Sequence, residues 1–329
     1  MKNSFLISIF FLSSFSFGQQ VFNRTTKLMG SRFDITVVAN DSIAGHYYIN
    51  LAINEISRIE KLISSWDEES QTSKINRTSQ VSPVTVDDEL YALISRANKI
   101  SRLTEGAFDI SYASMDKVWH FDGSMKEMPT EYEIMKSVEK IGYQNIILND
   151  DDNSVFFKLN DMKIGFGAIG KGYAADKAKS LLIKNGVVAG IINASGDLNA
   201  WGTQPNGKDW MVAIVNPLNK EKVFSWMPIK DKAVVTSGNY EKHVKFNDVL
   251  YSHIIDPRTG YPSTGVISVT VFTKTSELAD ALSTAIFVMG KDTGIDFVNQ
   301  LHGVECIIID KHNNLTTSNN IKLNPFNYE

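Results

Sequence analysis

Apolar positions recur along the chain with two different periods, and the switches between them give an order of elements. Residues 22–28 read as a short strand and residues 33–38 alternate apolar and polar side chains, with Met29-Gly30-Ser31 as the turn between them. Residues 43–63 carry apolar side chains at helical spacing, and Ser64-Ser65-Trp66-Asp67 ends that helix. Residues 68–76 are polar and end in Ser73-Lys74-Ile75-Asn76. Asp87 opens a second helix that runs to about residue 101, followed by the loop Thr104-Glu105-Gly106-Ala107-Phe108-Asp109. Residues 119–129 read as a surface excursion and 130–139 as a short helix. Residues 146–148 and 155–157 form a hairpin around a polar turn at 149–153. Later strands are predicted at 187–193, 210–215, 223–229, 233–236, 250–255, 266–272 and 304–309, with a helix at 277–289. The strands are many and short, and the helices cluster without a regular βαβ rhythm. The fold class this predicts is α+β, with mixed or antiparallel sheets and helices packed against them.

The hairpin delivers the chain to Gly165-Phe166-Gly167-Ala168-Ile169-Gly170-Lys171-Gly172-Tyr173-Ala174-Ala175-Asp176. Four glycines within eight residues let backbone approach something closely. Residues 173–183 have helical spacing, so Lys171 stands near a helix N-terminus, where amides and a positive charge suit an anion such as phosphate. A tight turn with close helix contact is the plainer reading of the same glycines. The GxGxxG lettering is no dinucleotide fingerprint, because no acidic residue ends a second strand where one is needed. Nor is it a phosphate-binding P-loop, because Lys171 is not followed by Ser or Thr.

Asp280 and Thr284 are four residues apart in a helical segment of small and apolar residues, so both oxygens share one face. A carboxylate there needs a partner, and a hard cation such as Mg2+ is one solution. A lysine partner for Asp280, with Thr284 bonded to its own helix, accounts for the pattern equally well. His253, near the end of a strand, can accept a proton near neutral pH or sit satisfied in a core. Trp66, taken alone, reads as a core plug before a stacking platform. Ala194-Ser195-Gly196-Asp197 and Ser237-Gly238-Asn239-Tyr240 read as turns; amides of the first could hold an anion, with Asp197 capping the loop.

Lys plus Arg total 33 against 37 Asp plus Glu, which gives no basic signature for nucleic acid. With 43 % hydrophobic residues the chain can bury a sizeable core. Cys306 is the only cysteine, which rules out an intramolecular disulfide and a multi-cysteine metal site; its apolar run makes it a buried strand residue. Met1-Lys2-Asn3, the apolar run at 5–17 and Ser16-Phe17-Gly18 look like a signal peptide cut before Gln19, with a retained anchor as the alternative. The expected organisation is a signal peptide at 1–18 and a domain at 19–329, one unit or two closely packed subdomains, in the periplasm.

These strings, taken in order, resemble the ApbE family of FAD:protein FMN transferases. The likeness includes Ser65-Trp66, Ser73-Lys74-Ile75-Asn76, Gly106-Ala107-Phe108-Asp109, the glycine-rich stretch from Gly167 and Asn193-Ala194-Ser195-Gly196-Asp197. It continues through Thr236-Ser237-Gly238-Asn239-Tyr240, His253-Ile254-Ile255-Asp256-Pro257-Arg258-Thr259-Gly260 and Ala279-Asp280-Ala281-Leu282-Ser283-Thr284-Ala285. The resemblance implies FAD as substrate and Mg2+ held by Asp280, Thr284 and the carbonyls of Ala168 and Ser283. It implies Lys171 on the FAD, with Met29, Trp66, Asn76, Ala107, Phe108, Asp109, Ser237, His253 and Ile254 around it. The implied reaction expels AMP and joins FMN to a Thr or Ser of an acceptor, such as a membrane redox subunit or a periplasmic electron-transfer protein. Asp280 and Lys171 would serve the pyrophosphate, and His253 would be the base. Hydrolysis of FAD to FMN and AMP, or flavin binding without turnover, are the alternatives. The family usually has Asp where this chain has Gly165, Tyr at Trp66, Pro-Thr at Ile110-Ser111 and a double glycine at Ser195-Gly196.

Overall fold

The computed structural model describes residues 18–216, 219–239 and 243–321, so the N-terminal apolar run, Pro217 and Tyr240 lie outside the described residues. The chain runs β1 (Gln20–Leu28), β2 (Ser31–Ala39), α1 (Ser42–Ile63), α2 (Gln71–Thr78), β3 (Val84–Thr85), α3 (Asp88–Leu103), α4 (Glu131–Ser137), β4 (Ile146–Asn149), β5 (Ser154–Phe157) and α5 (Gly170–Lys184). It continues β6 (Gly190–Ala194), β7 (Asp197–Trp201), β8 (Trp210–Asn216), β9 (Asn219–Ile229), β10 (Ala233–Gly238), β11 (His243–Phe246) and β12 (Val249–Ser252). It ends β13 (Val266–Thr273), α6 (Ser276–Met289), α7 (Lys291–Asn299), β14 (Glu305–Asp310) and β15 (Leu315–Thr317).

Eight strands form the main sheet in the order β1-β2-β6-β7-β10-β13-β14-β15. Each pairing in it is antiparallel, as the α+β reading requires. Helices α1, α5 and α6 cover one face, where Phe33, Ile56, Val269 and Leu282 are fully buried. The β8–β9 hairpin covers the other, with Trp210, Ile214 and Ile229 against Val234 and Phe272. Strand β13 is therefore buried along its whole length, its Ser268, Thr270 and Thr273 included, as a strand covered on both faces must be. Cys306 is buried in β14 as expected. A smaller sheet, β3-β5-β4, stands apart from the main one.

Capping accounts for the helix starts. Asp41 accepts the Ala44 amide at 2.8 Å before α1, and Thr130 with Glu133 closes a capping box on α4. Residues 71–78, read above only as polar, form α2, because Ser70 caps them and Ile75 plugs the core; the short polar sequence hides that one apolar anchor. Strand β11 and helix α7 were likewise not foreseen. Trp119 in the predicted surface excursion is buried and donates Nε1 to the Gly260 carbonyl at 2.9 Å. Ser237 and Gly238 continue β10 and do not turn.

One carboxylate ties three helices. Glu89 of α3 accepts from Arg58 of α1 at 2.6 Å, and from Lys177 at 2.7 Å and Tyr173 Oη at 2.8 Å on α5. Burial raises the carboxyl's pKa, but these donors outweigh it and hold it at about 2. A depressed acid stabilises the fold above its unfolded value, 4.5, and that contribution disappears as pH falls towards 2. Glu89→Gln should therefore cost about 1–2 kcal/mol at neutral pH, allowing for partial exposure. Urea titrations at a series of pH values should show the gap to the parent closing below pH 4.5.

Candidate active site

The site is built where α5 begins. Gly170 and Lys171 are the first residues of that helix, as the glycine-rich stretch predicts, and Gly172 lies against α6. A Cβ on Gly172 would stand 2.2 Å from the Ser276 carbonyl oxygen and 2.9 Å from Asp280 Cβ. Only glycine permits this crossing. Asp280 accepts the Gly172 amide at 3.1 Å and is 4 % exposed. One turn further along α5, Asp176 caps the start of α6 by accepting the Ser276 and Glu277 amides, both at 2.9 Å. Burial pushes the Asp176 carboxyl up to about 6 despite those amides. Asn199 of β7 donates to Asp176 as well, so strand and both helices are joined at one point.

Beside Asp280 lies a second buried carboxylate. Asp197 and Asn199 alternate onto the helix-covered face of β7, and Asp197 pairs with Lys171. Burial raises the Asp197 carboxyl strongly, the charge of nearby Asp280 raises it further, and Lys171 offsets only part. The expectation that Asp197 caps its turn is thus corrected. In the Ser195-Gly196 turn, with φ of 53° and 105°, the Gly196 amide donates to Asn193, so it is not offered to an anion. The signal available in the sequence was the alternation Asp197, Asn199, Trp201, which puts polar groups on a face that also carries core.

A groove of about 910 Å³ opens nearby, lined among others by Trp66, Asn76, Lys117, Phe121, Lys163 and His253. Its size suits a small-molecule ligand. Trp66 is 86 % exposed, which overturns the core-plug reading and leaves a flat ring facing solvent, with Lys117 Nζ 5.9 Å from its centroid. His253 lies half-buried in the wall, its ring 6.5 Å from that of Phe121. Asp256, three residues further on, is spent on its own turn: it accepts from the Arg258 amide at 2.9 Å and pairs with the guanidinium at 2.8 Å. Asp280 and Lys171 do not line the groove. The glycine-rich segment connects the two places. It leaves the groove at Lys163, passes Ala113, which a Cβ on Gly165 would touch at 3.0 Å, and reaches Asp280 at Gly172.

The remaining predicted residues divide. Met29 is half-buried at φ 48°, close to Gly170, and Ile254 is half-buried beside His253. Asn76 lines the groove, but its amide is spent on the Ile164 backbone at 2.8 and 3.0 Å. Ala107 and Phe108 point into the core. Asp109 accepts from Ser111 at 2.6 Å and from the Tyr143 amide at 2.7 Å, so its carboxylate closes a loop. Ser237 lies 2.8 Å from Ser283, whose hydroxyl donates to the Asp280 carbonyl at 2.9 Å. The Ser283 carbonyl sits inside α6, one turn before the helix's last residues and next to Thr284. Thr284 is partly exposed on α6, and among the described residues no backbone amide donates to the Ala168 carbonyl. Asp280 takes the Gly172 amide, directly after Lys171 in the chain.

Residues 29–308 match the ApbE family model, and the chain belongs to the ApbE family. It is similar to the FAD:protein FMN transferase of Klebsiella pneumoniae, 28 % identical over 301 residues that cover 91 % of this chain and 92 % of that one. The crystal structure of the ApbE protein of Thermotoga maritima aligns with a TM-score of 0.82 at 33 % identity, covering 91 % and 97 % of the two chains. The apo flavinyl transferase ApbE of Pseudomonas stutzeri, at 24 % identity, shares the fold with a TM-score of 0.81 over 92 % and 95 %.

The crossing at Gly172 gives a direct test. Gly172→Ala should cost about 3 kcal/mol of stability, because backbone of α6 must move to admit the methyl group. Chemical denaturation reads that loss; an unchanged midpoint would show that the two helices part easily here.

Proposed function

We propose that the chain transfers FMN from FAD to a serine or threonine hydroxyl of another protein and releases AMP. The glycine-rich segment carries this reading. It joins a groove holding an exposed aromatic ring and a histidine to a lysine at a helix start beside buried carboxylates. A flavin nucleotide has the matching parts, a flat ring and a pyrophosphate. Family membership and the names of the relatives support it.

The oxygen donors near Lys171 suit a hard cation: the Asp280 carboxylate, the Thr284 hydroxyl four residues on, and the Ala168 carbonyl. These residues would hold Mg2+, which when bound neutralises phosphate charge. Lys171 adds a fixed positive charge for the pyrophosphate. His253 takes the proton of the acceptor hydroxyl; a phosphorus–oxygen bond forms to that hydroxyl as the pyrophosphate bridge breaks, and AMP leaves with the bridging oxygen. Trp66 offers its exposed face for stacking on a ring of the substrate.

The acceptor we propose is a membrane redox subunit or a periplasmic electron-transfer protein carrying an Asp-Gly-x-Thr/Ser-Gly-Ala-Thr/Ser string. Residues 1–18 serve export to the periplasm, and residues 19–329 are the mature unit. N-terminal sequencing of protein from the native host should begin at Gln19; a cytoplasmic full-length chain would end the export proposal.

Covalent flavin fluorescence on such an acceptor, read in a denaturing gel with and without Mg2+, tests the chemistry. His253→Ala should bind FAD as the parent does and label about 10²–10⁴-fold more slowly. Asp280→Ala should lose the Mg2+-dependent part of the rate. AMP release without labelling would mark a pyrophosphatase instead. Parental labelling by both variants would refute the roles given to His253 and Asp280.

A further inference from the structure

We propose that Asp197 is a second carboxylate of the cation site, and that Lys171 and a divalent cation compete for it. In the cation-free chain the Lys171 ammonium sits on Asp197; a seated cation displaces it and frees it for the substrate's phosphate. This inference rests on the transferase reading, which puts Mg2+ at Asp280.

Charge counting drives the argument. Asp197 and Asp280 have 3 % and 4 % exposure, the Lys171 ammonium is in contact with Asp197, and Asp280 holds the amide of the next residue, Gly172. Buried carboxylates demand counter-charge. A divalent cation binds both as carboxylates, any proton held on the pair leaving to solvent, after which the ammonium is surplus and is repelled at short range. The partner able to move is the lysine. Asp197 is fixed on β7 within the main sheet and Asp280 on α6, and the Asp176–Asn199 contact fixes strand to helix. Lys171 carries a flexible stem from the first turn of α5, and its side chain keeps 30 % exposure. The ammonium would then be available when the cation, and so the site for the pyrophosphate, is complete.

The test uses the nucleotide-free mature protein and Mg2+ alone. Calorimetry gives the Mg2+ affinity. Brief acetic anhydride treatment, followed by peptide mass spectrometry, gives the acetylation of Lys171 with surface Lys140 as the internal reference. Mg2+ should raise Lys171 acetylation severalfold and leave Lys140 unchanged. Lys171→Met, which removes the competitor and keeps both carboxylates, should tighten Mg2+ about tenfold or more. Asp197→Asn should weaken Mg2+ about tenfold or more and leave Lys171 acetylated equally with and without it. A merely structural Lys171 does not predict tighter binding on its removal. If the parent binds Mg2+ while Lys171 acetylation is unmoved and Lys171→Met keeps parental affinity, the competition is refuted and the transferase reading stands. If the parent fails to bind Mg2+ at millimolar concentration, the competition in the free protein is refuted along with Mg2+ binding before nucleotide.

Discussion

Everything at the site depends on how closely α5 and α6 cross. Backbone of α6 fills the space that a side chain at residue 172 would need, and this brings the Gly172 amide to Asp280. That amide belongs to the unsatisfied first turn of α5, so the carboxylate completes the helix start while the helix start helps offset the carboxylate's burial. Asp176 repeats the exchange in the opposite sense, from the body of α5 to the start of α6. Two carboxylates, each capping the other's helix, hold the crossing at two points, so neither helix can rotate without exposing an orphan amide. Helix-capping bonds of this kind are each worth about 0.5–2 kcal/mol.

The sheet supplies the third wall by parity. Along β7 and β10 the odd-numbered residues face the helices, so Asp197, Asn199 and Ser237 join a face otherwise built from residues such as Trp201, Ala233 and Val235. The even-numbered residues Leu198, Ala200 and Val234 face the β8–β9 hairpin. A one-residue slip in β7 would send Asp197 to the wrong face. Its register is held by pairing on both sides, to β6 and to β10. The polar site is thus set inside an apolar layer with rigid neighbours, the condition under which fixed charges act most strongly on a ligand.

Most of the framework was legible in the sequence because it is periodic. The helix at 43–63, the hairpin around 149–153, the strand at 266–272 and the helix start at Gly170-Lys171-Gly172 were all readable from spacing. So was the shared face of Asp280 and Thr284. What stayed hidden is long-range or sparse. Helix α2 carries one buried aliphatic residue in eight. The link between Asp197 and Lys171 spans 26 residues and a change from helix to strand, and no local pattern encodes it. The exposure of Trp66 depends on which loops fail to cover it, which composition cannot say. A carboxylate beside glycine lines pockets and closes loops alike, so the three donors that tie Asp109 to its loop are not encoded by that local string.

The two halves of the site differ in what supports them, and the difference matches their tasks. The charged half stands on α5, α6 and β7, inside the main core. The groove half takes Trp119, Phe121 and His253 from loops, over a small separate cluster of Trp119, Ile134, Val244 and Ile255. Phosphate chemistry needs charges set in place before the substrate arrives, since charges that reorganise during reaction lose their advantage. A protein acceptor needs a surface that admits a polypeptide, and loops on a firm scaffold are where such recognition is found. His253 sits on the adaptable half, while Asp280 and the backbone that carries Lys171 sit on the rigid one. The glycine-rich segment belongs to both, so any displacement of the α5–α6 crossing is passed through Gly165 to Ala113 and Lys163 in the wall of the groove. With the roles proposed above, the crossing would set the distance between base and phosphate as well as the phosphate site itself.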